Sequence, residues 1–519
     1  MCQFYFEMAS IVRNSFYNSL GMGIYFIGMI VVTPMLINEM GDVQFGLFRL
    51  ALFSIVGYSA ILDMGMSNGI LRVLANKIAV NDILAARKII AISIYMFSVV
   101  SAMIAVMVFV LIIYFPAYVR TPQELVFPFR LLIAATGVYL VFSCFNTIFI
   151  NIFVIKSRFD CVQGTKVLGR LVFMFAALLM MKVWGSPLIM MSISVVVITV
   201  AVFILSYFLT KRVWSDFGAD FSNFDYGIFR QIVSFSSRWF LITLSGILIY
   251  STTEIMVGRF AGLAAVAFYS VPILIGNQIT TVITSVSYPI FSVAAELGAQ
   301  KKSDEIVKLY RLTLSVSAFL FVCVIVPLIV FMRPLLTLWV NPQFAEVTNV
   351  AIVIVAGYFY VVIDYSTQAV LKATGKVNKI CIYYISSAAI VLLTVFLILK
   401  YSDYGLMGVA VSLSTVSIIR GVFILRDAMG QYNVPWIPAL SGLVIKTIAA
   451  AVPGYALCLA LSLVLDVNDI ASLIFGLISG AGIASIFAFF ITLDPMQRIY
   501  VKNFAVSKLQ NLYRKKSGK

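Results

Sequence analysis

IIAISIYMFSVVSAMIAVMVFVLIIYF, from Ile89 to Phe115, runs without a single charged side chain. A hydrocarbon core about 30 Å thick is crossed by roughly 20 apolar residues of helix. Only a segment that closes its own backbone hydrogen bonds can make that crossing. The stretch therefore reads as a membrane span, and stretches like it recur on both sides. Toward the N-terminus lie 15–37 and 45–66. Toward the C-terminus lie 131–155, 167–184, 187–210, 236–258, 264–289, 311–332, 347–371, 380–399, 406–425, 440–465 and 470–492, about fourteen spans in all. The expected fold is an all-α polytopic membrane protein.

Composition agrees. Hydrophobic residues make up 62% and charged residues 11% of the chain, against roughly 45–50% and 25% in soluble domains. The spans and their short connections use nearly all 519 residues, which leaves no room for a soluble catalytic domain. The absence of histidine excludes a histidine proton relay, triad or metal site. The six cysteines stand singly, with no CxxC, and read as small core residues. The first apolar run is long enough to span and lacks an A-x-A cleavage site, so it reads as a transmembrane helix and not as a signal peptide. A membrane glycosyltransferase or polymerase would need a metal-binding acidic motif or a large outward loop. The longest outward loop runs only from about Pro116 to Arg130, so no enzyme, no metal and no cofactor is expected.

The basic residues fix orientation. One set of loops holds Arg72, Lys77, Arg87, Lys88, Lys156, Arg158, Lys211, Arg212, Lys301, Lys302, Lys372, Lys376 and Lys379, and the tail adds seven more. The other side has only Arg49, Arg120, Arg130, Lys182, Arg259, Arg333 and Lys400. Consistent alternation of this kind is the positive-inside signature and puts both termini in the cytoplasm. The net charge of +16 is then explained by orientation and contact with membrane lipid headgroups, and no nucleic-acid partner is expected. The basic stretches Lys211–Gln231 and Pro495–Lys519 are expected to lie along the inner membrane surface.

An internal repeat follows. Thr33-Pro-Met-Leu-Ile-Asn-Glu-Met, Gly41 and Phe45-Gly-Leu-Phe48 match Thr253-Glu-Ile-Met-Val-Gly-Arg-Phe, Gly262 and Val266-Ala-Phe-Tyr269. The offset spans six helices, an even number, so the copies enter the membrane in the same direction, as parallel repeats do. The expectation is two six-helix lobes, 1–212 and 213–435, around a central cavity. Two extra helices in 436–494 and a basic cytoplasmic tail, 495–519, follow them.

These residues resemble a known family. Leu62-Asp-Met-Gly-Met-Ser-Asn-Gly-Ile-Leu-Arg72, the 253–270 block and Gln368-Ala-Val-Leu-Lys-Ala-Thr-Gly-Lys376 are similar to blocks of polysaccharide flippases. Those proteins belong to the multidrug/oligosaccharidyl-lipid/polysaccharide (MOP) exporter superfamily, and the nearest branch is the Wzx-type O-antigen flippases. Glu254 stands where that family usually has aspartate, and Ala267 where it often has glycine. The resemblance implies a flippase in a bacterial inner (cytoplasmic) membrane. Its cargo would be an undecaprenyl-pyrophosphate-linked oligosaccharide, moved from the cytoplasmic to the periplasmic leaflet by alternating access. A polysaccharide polymerase could be a further partner. A cation-coupled multidrug exporter and a peptidoglycan-precursor (lipid II) flippase are the alternatives.

Such a cargo needs a wet, electropositive lumen. Asn277, Thr281 and Tyr288 recur at steps that share one helical face with Ser270 and Thr284, and could line a cavity or bond a neighbouring helix. Arg49, Arg130 and Arg259 sit near outer ends of spans. They either face the lumen, where guanidinium suits phosphate, or snorkel to headgroups. Glu254 and Asp364 are the acids placed deepest in spans. Each could bind H+ or Na+ and couple transport to a gradient, or form a structural ion pair, with Arg259 as the partner expected for Glu254.

Overall fold

The computed structural model describes residues 31–58, 66–169, 186–222, 225–299, 302–373 and 378–495, with isolated positions besides; side chains at 68, 79, 233–240, 285–296, 298–299, 369–370, 372–373 and 378 are excepted. Described residues are helical with short connections and include no strand. Twelve helices among them are long and apolar enough to cross a membrane. The chain is an all-α polytopic membrane protein. Of the expected fourteen spans, 167–184 and most of 15–37 lie outside the described residues.

The helices run as follows. α1 is Val31–Tyr58, α2 Met66–Ala79, α3 Ile83–Tyr118, α4 Gln123–Ile155, α5 Phe159–Val167 and α6 Pro187–Val213. α7, Tyr226–Ile247, passes through a π-helical turn at Leu248–Thr252 into α8, Thr253–Phe260. Then come α9 Leu263–Ala299, α10 Ser303–Val330, α11 Met332–Trp339, α12 Thr348–Gly357, α13 Phe359–Ala373, α14 Asn378–Tyr401 and α15 Gly405–Gly430, with α16 Trp436–Val464 and α17 Ile470–Ile491 last.

Two glycines give the repeat a backbone counterpart. Gly41 within α1 has φ +71° and Gly262 between α8 and α9 has φ +99°, a region that costs other L-residues about 1–2 kcal/mol. These are the glycines that the repeat aligns. Buried hydroxyls in the spans donate to the carbonyl one turn back, as Ser93 does to Ile89 and Thr136 to Leu132. A polar side chain thereby satisfies itself within hydrocarbon.

Contacts at helix ends follow the alternation expected from the basic loops. Arg259 at the end of α8 faces the ring of Tyr118 at the end of α3, and Phe260 packs edge-on to Phe396 near the end of α14; all three ends are expected to face outward. Arg87, near the start of α3, bonds the Asp216 carbonyl after α6 at 3.0 Å. Lys446 pairs with Asp494 at 2.7 Å. Both contacts join ends that are expected to face inward.

The compact units are 1–270 with 395–403, and 271–394 with 404–519. Within the first unit, α8 is tied to α1 by buried polar contacts of Glu254 with Arg49 and Ser54. The two last helices belong to the second unit, where Gly480 packs on Pro327 and Cys458, and Ser485 bonds Cys323. Of the cysteines described, Cys161, Cys323, Cys381 and Cys458 are buried, as small core residues are. One expectation is corrected. Most of the Lys211–Gln231 stretch is not a surface helix: between Trp214 and Asp225 the described backbone is irregular, and Trp214 is buried. Phe217 and Trp214 turn inward onto aromatic neighbours, so burial of rings and not amphipathic periodicity sets this segment's path.

Candidate functional site

Each compact unit encloses a charged pair, and each pair is assembled from helices remote in sequence. In the first unit, Arg49 Nε donates to Glu254 Oε1 at 3.0 Å and Ser54 Oγ donates to Glu254 Oε2 at 3.0 Å. Both charged residues are only 4% exposed. The Arg49 guanidinium also lies 3.8 Å from the centroid of the Phe53 ring. The pair is flanked by two π-helical turns, Leu50–Ile55 and Leu248–Thr252, and such turns are frequent where side chains are re-aimed at functional sites. Tyr58 and Thr252 share a hydroxyl bond one turn further along, so α1 and the α7–α8 run are antiparallel here. Arg49 Nη1, Thr253 Oγ1 and the Tyr269 hydroxyl are buried with no hydrogen-bond partner among the described residues.

In the second unit, Arg420 Nη2 donates to Asp364 Oδ2 at 2.9 Å, and Tyr384 OH donates to the same oxygen at 3.0 Å. Gln368 Nε2 bonds Tyr384 OH at 2.6 Å, and Arg420 Nη1 reaches Ser387 Oγ at 3.4 Å. Asp364 is fully buried and Arg420 is 5% exposed. The guanidinium lies 4.3 Å from the Tyr384 ring centroid and 5.1 Å from that of Tyr360. A buried charge is retained only when paired and hydrogen-bonded, and both clusters meet that condition.

The remaining candidates are not gathered with these pairs. Asn277 and Thr281 are exposed on one face of α9, while Ser270 on the same helix is fully buried, its hydroxyl bonded to the Ala267 carbonyl. Asn277 Oδ1 accepts from Tyr358 OH at 3.2 Å. Tyr358 stands at the break between α12 and α13 and presses on Gly276, where a Cβ would lie 2.2 Å from the ring. Arg130 is exposed on α4 and makes no ion pair among the described residues. Arg259 is half-buried, its guanidinium 5.6 Å from the Tyr118 ring centroid. Glu254 therefore pairs with Arg49 and not with Arg259. The Tyr288 side chain lies outside the described residues.

Arg420, Tyr384 and Tyr358 escape the sequence reading. Arg420 carried a usable signal: it is a cation inside the span 406–425, five residues from its end, and cations at that depth face cavities or partners. Nothing in sequence says which acid.

Comparison with known structures places the fold. The chain superposes on an inward-facing multidrug-resistance MATE transporter of the MOP superfamily with a TM-score of 0.65 at 15% identity, covering 81% of this chain and 94% of that one. An outward-facing MATE transporter of the same superfamily gives 0.58 at 15% identity, covering 82% and 95%. A MOP-superfamily transporter from Pyrococcus furiosus, whose binding pocket of reverse polarity suggests a different function, gives 0.60 at 15% identity, with 82% and 95% covered. No curated protein sequence matches the chain. The chain therefore shares the fold of these MOP-superfamily transporters and is a multi-pass membrane protein. A family model described as "Polysaccharide biosynthesis protein" matches residues 11–295, more than half of the chain. The chain belongs to the polysaccharide biosynthesis protein family. That match contains Arg49, Arg130, Glu254, Arg259, Asn277 and Thr281; Asp364 and Arg420 lie beyond it.

Proposed function

We propose that this protein flips a polyprenyl-pyrophosphate-linked oligosaccharide, an O-antigen or related repeat unit, from the cytoplasmic to the periplasmic leaflet of a bacterial inner membrane. The mechanism is alternating access. One observation carries the choice of cargo: both deep carboxylates, Glu254 and Asp364, are already neutralised by an arginine. A carrier of cationic drugs needs an acid whose charge is not spent on the protein itself. The uncompensated charge is basic. Arg130 and Arg259 make no ion pair among the described residues, and Arg49 Nη1 has no hydrogen-bond partner among them. Guanidinium forks match phosphate oxygens. Asn277 and Thr281 supply the exposed amide and hydroxyl that a glycan requires, and Tyr288 extends that face in the sequence pattern.

Coupling to H+ or Na+ at Glu254 or Asp364 requires the arginine to leave first, so ion entry and rearrangement of these helices would be one event. The multidrug reading is favoured by the fold of the structural neighbours, and it opposes this charge balance. The decisive experiment is leaflet-selective quenching of a fluorescent polyprenyl-pyrophosphate glycan in proteoliposomes, with lipid II and a lipophilic cation as competing cargoes. Acceleration of the glycan alone supports the proposal. Failure to move it in any ion gradient, or export of the cation, refutes it.

A further inference from the structure

Near the ends of α3, α4 and α6 expected to face the cytoplasm, the first unit contains a cavity of about 430 Å3, within the roughly 300–1,000 Å3 of small-molecule sites. Its walls are largely apolar and rich in rings, with Ile94 from α3, Phe145 and Phe149 from α4, Phe203 from α6 and Phe217 from the segment that follows α6. The rings hold one another in place. Phe149 sits 5.3 Å from Phe203 and 5.9 Å from Phe217, centroid to centroid. The segment after α6 is pinned by its backbone, because Arg87 Nε donates to the Asp216 carbonyl at 3.0 Å and Asp220 N–H to the Arg87 carbonyl at 3.1 Å. The cavity is thus built by tertiary contacts and is not a gap between loose side chains.

One charged residue lines it, Lys211, whose Nζ lies 5.2 Å from the Tyr207 ring centroid. Arg212 is next to it, and both are exposed. Among the described residues neither has a carboxylate within ion-pair distance, although Lys77, Arg158, Lys302, Lys379 and Lys446 all do. Of the two acids that follow α6, Asp216 and Asp220, the Asp220 carboxylate is engaged elsewhere: it accepts from Ser222 N–H and feels Arg87 and Lys88. Beside the cavity, Phe208 on α6 and Val99 on α3 are each 64% exposed, as residues facing hydrocarbon are. An aromatic slot flanked by lipid-facing side chains, lined by one cation without an ion-pair partner and with a second cation next to it in the chain, matches one ligand class.

We propose that this cavity binds an anionic phospholipid of the cytoplasmic leaflet. One acyl chain enters among Phe145, Phe149 and Phe203, and the phosphate rests against Lys211 and Arg212. The site is independent of the cargo assignment, since it uses none of the residues invoked there.

The test is native mass spectrometry of the purified full chain, titrated with phosphatidylglycerol or phosphatidylcholine of identical acyl chains. The tightest-held lipid should be phosphatidylglycerol, preferred about 30-fold, as two basic residues near an anionic headgroup provide. Lys211→Gln with Arg212→Gln, at exposed positions that leave the fold intact, should abolish that preference while phosphatidylcholine binds as before. Ala219→Trp, which fills the slot, should weaken both lipids. Three results would each overturn the assignment: equal binding of the two lipids by the unaltered protein, an undiminished preference in the double glutamine variant, or displacement of phosphatidylglycerol by a polyprenyl phosphate at lower concentration.

Discussion

Replacing Arg420 by glutamine should be among the most damaging single changes outside the backbone. The substitution leaves the Asp364 carboxylate fully buried and removes its 2.9 Å partner. Stranding one member of a buried pair costs about 3–5 kcal/mol. Tyr384 still donates to the same oxygen at 3.0 Å, and a hydrogen bond to a charged group is worth about 1.5–3 kcal/mol. That surviving bond holds the loss near the lower limit, about 3 kcal/mol. The double variant Asp364→Asn with Arg420→Gln strands no charge, so it should recover at least about 1 kcal/mol of that loss. Unfolding can be followed with a dye that fluoresces on reaction with thiols, because Cys323, Cys381 and Cys458 are buried in the same unit. An Arg420→Gln protein within about 0.5 kcal/mol of the parent, the ordinary range for surface changes, would refute the reasoning. So would a double variant weaker than the single one.

Other outcomes follow from local geometry. Gly276→Ala should cost about 1–3 kcal/mol by overpacking, since its Cβ would lie 2.2 Å from the Tyr358 ring; Tyr358→Leu should relieve part of that loss in thermal unfolding of the double variant. Gly262→Ala, at φ +99°, should destabilise by about 1–2 kcal/mol, whereas Gly442→Ala, which meets no neighbour at Cβ and lies in α16, should not destabilise at all. The Ala85 N–H bond to Asp82 at the start of α3 holds that carboxylate below its ordinary range. Its folded-state pKa is thus the lower one. The cap contributes fully above the unfolded value of about 3.9 and is lost as pH falls through the folded value, so acid unfolding of Asp82→Asn should lack that component.

Much of this molecule can be read from residues alone, and the limits have physical reasons. Long apolar runs declare the spans because lipid offers no other partner for the backbone. The glycines that the repeat aligns, Gly41 and Gly262, both adopt positive φ. Pairing between helices is different. Arg259 is close to Glu254 in sequence, but five residues at about 100° each put it some 140° around the helix, and the true partner is Arg49, 205 positions away. The partner of Arg420 is hidden for the same reason: periodicity fixes which face a residue occupies, and says nothing of the acid that meets it. The segment after α6 follows the buried ring of Trp214 and the half-buried ring of Phe217, a path that the basic residues beside them do not reveal.

Arginines pair with both deep acids, Glu254 and Asp364, and on our proposal the basic charge that remains selects an anionic cargo. Equilibrium binding to the protein in nanodiscs tests it, with a polyprenyl-pyrophosphate glycan and a lipophilic cation measured on the same preparation. Saturable binding of the pyrophosphate, weakened by Arg259→Gln, with none of the cation is the predicted result. Saturable binding of the cation with no binding of the pyrophosphate would contradict it.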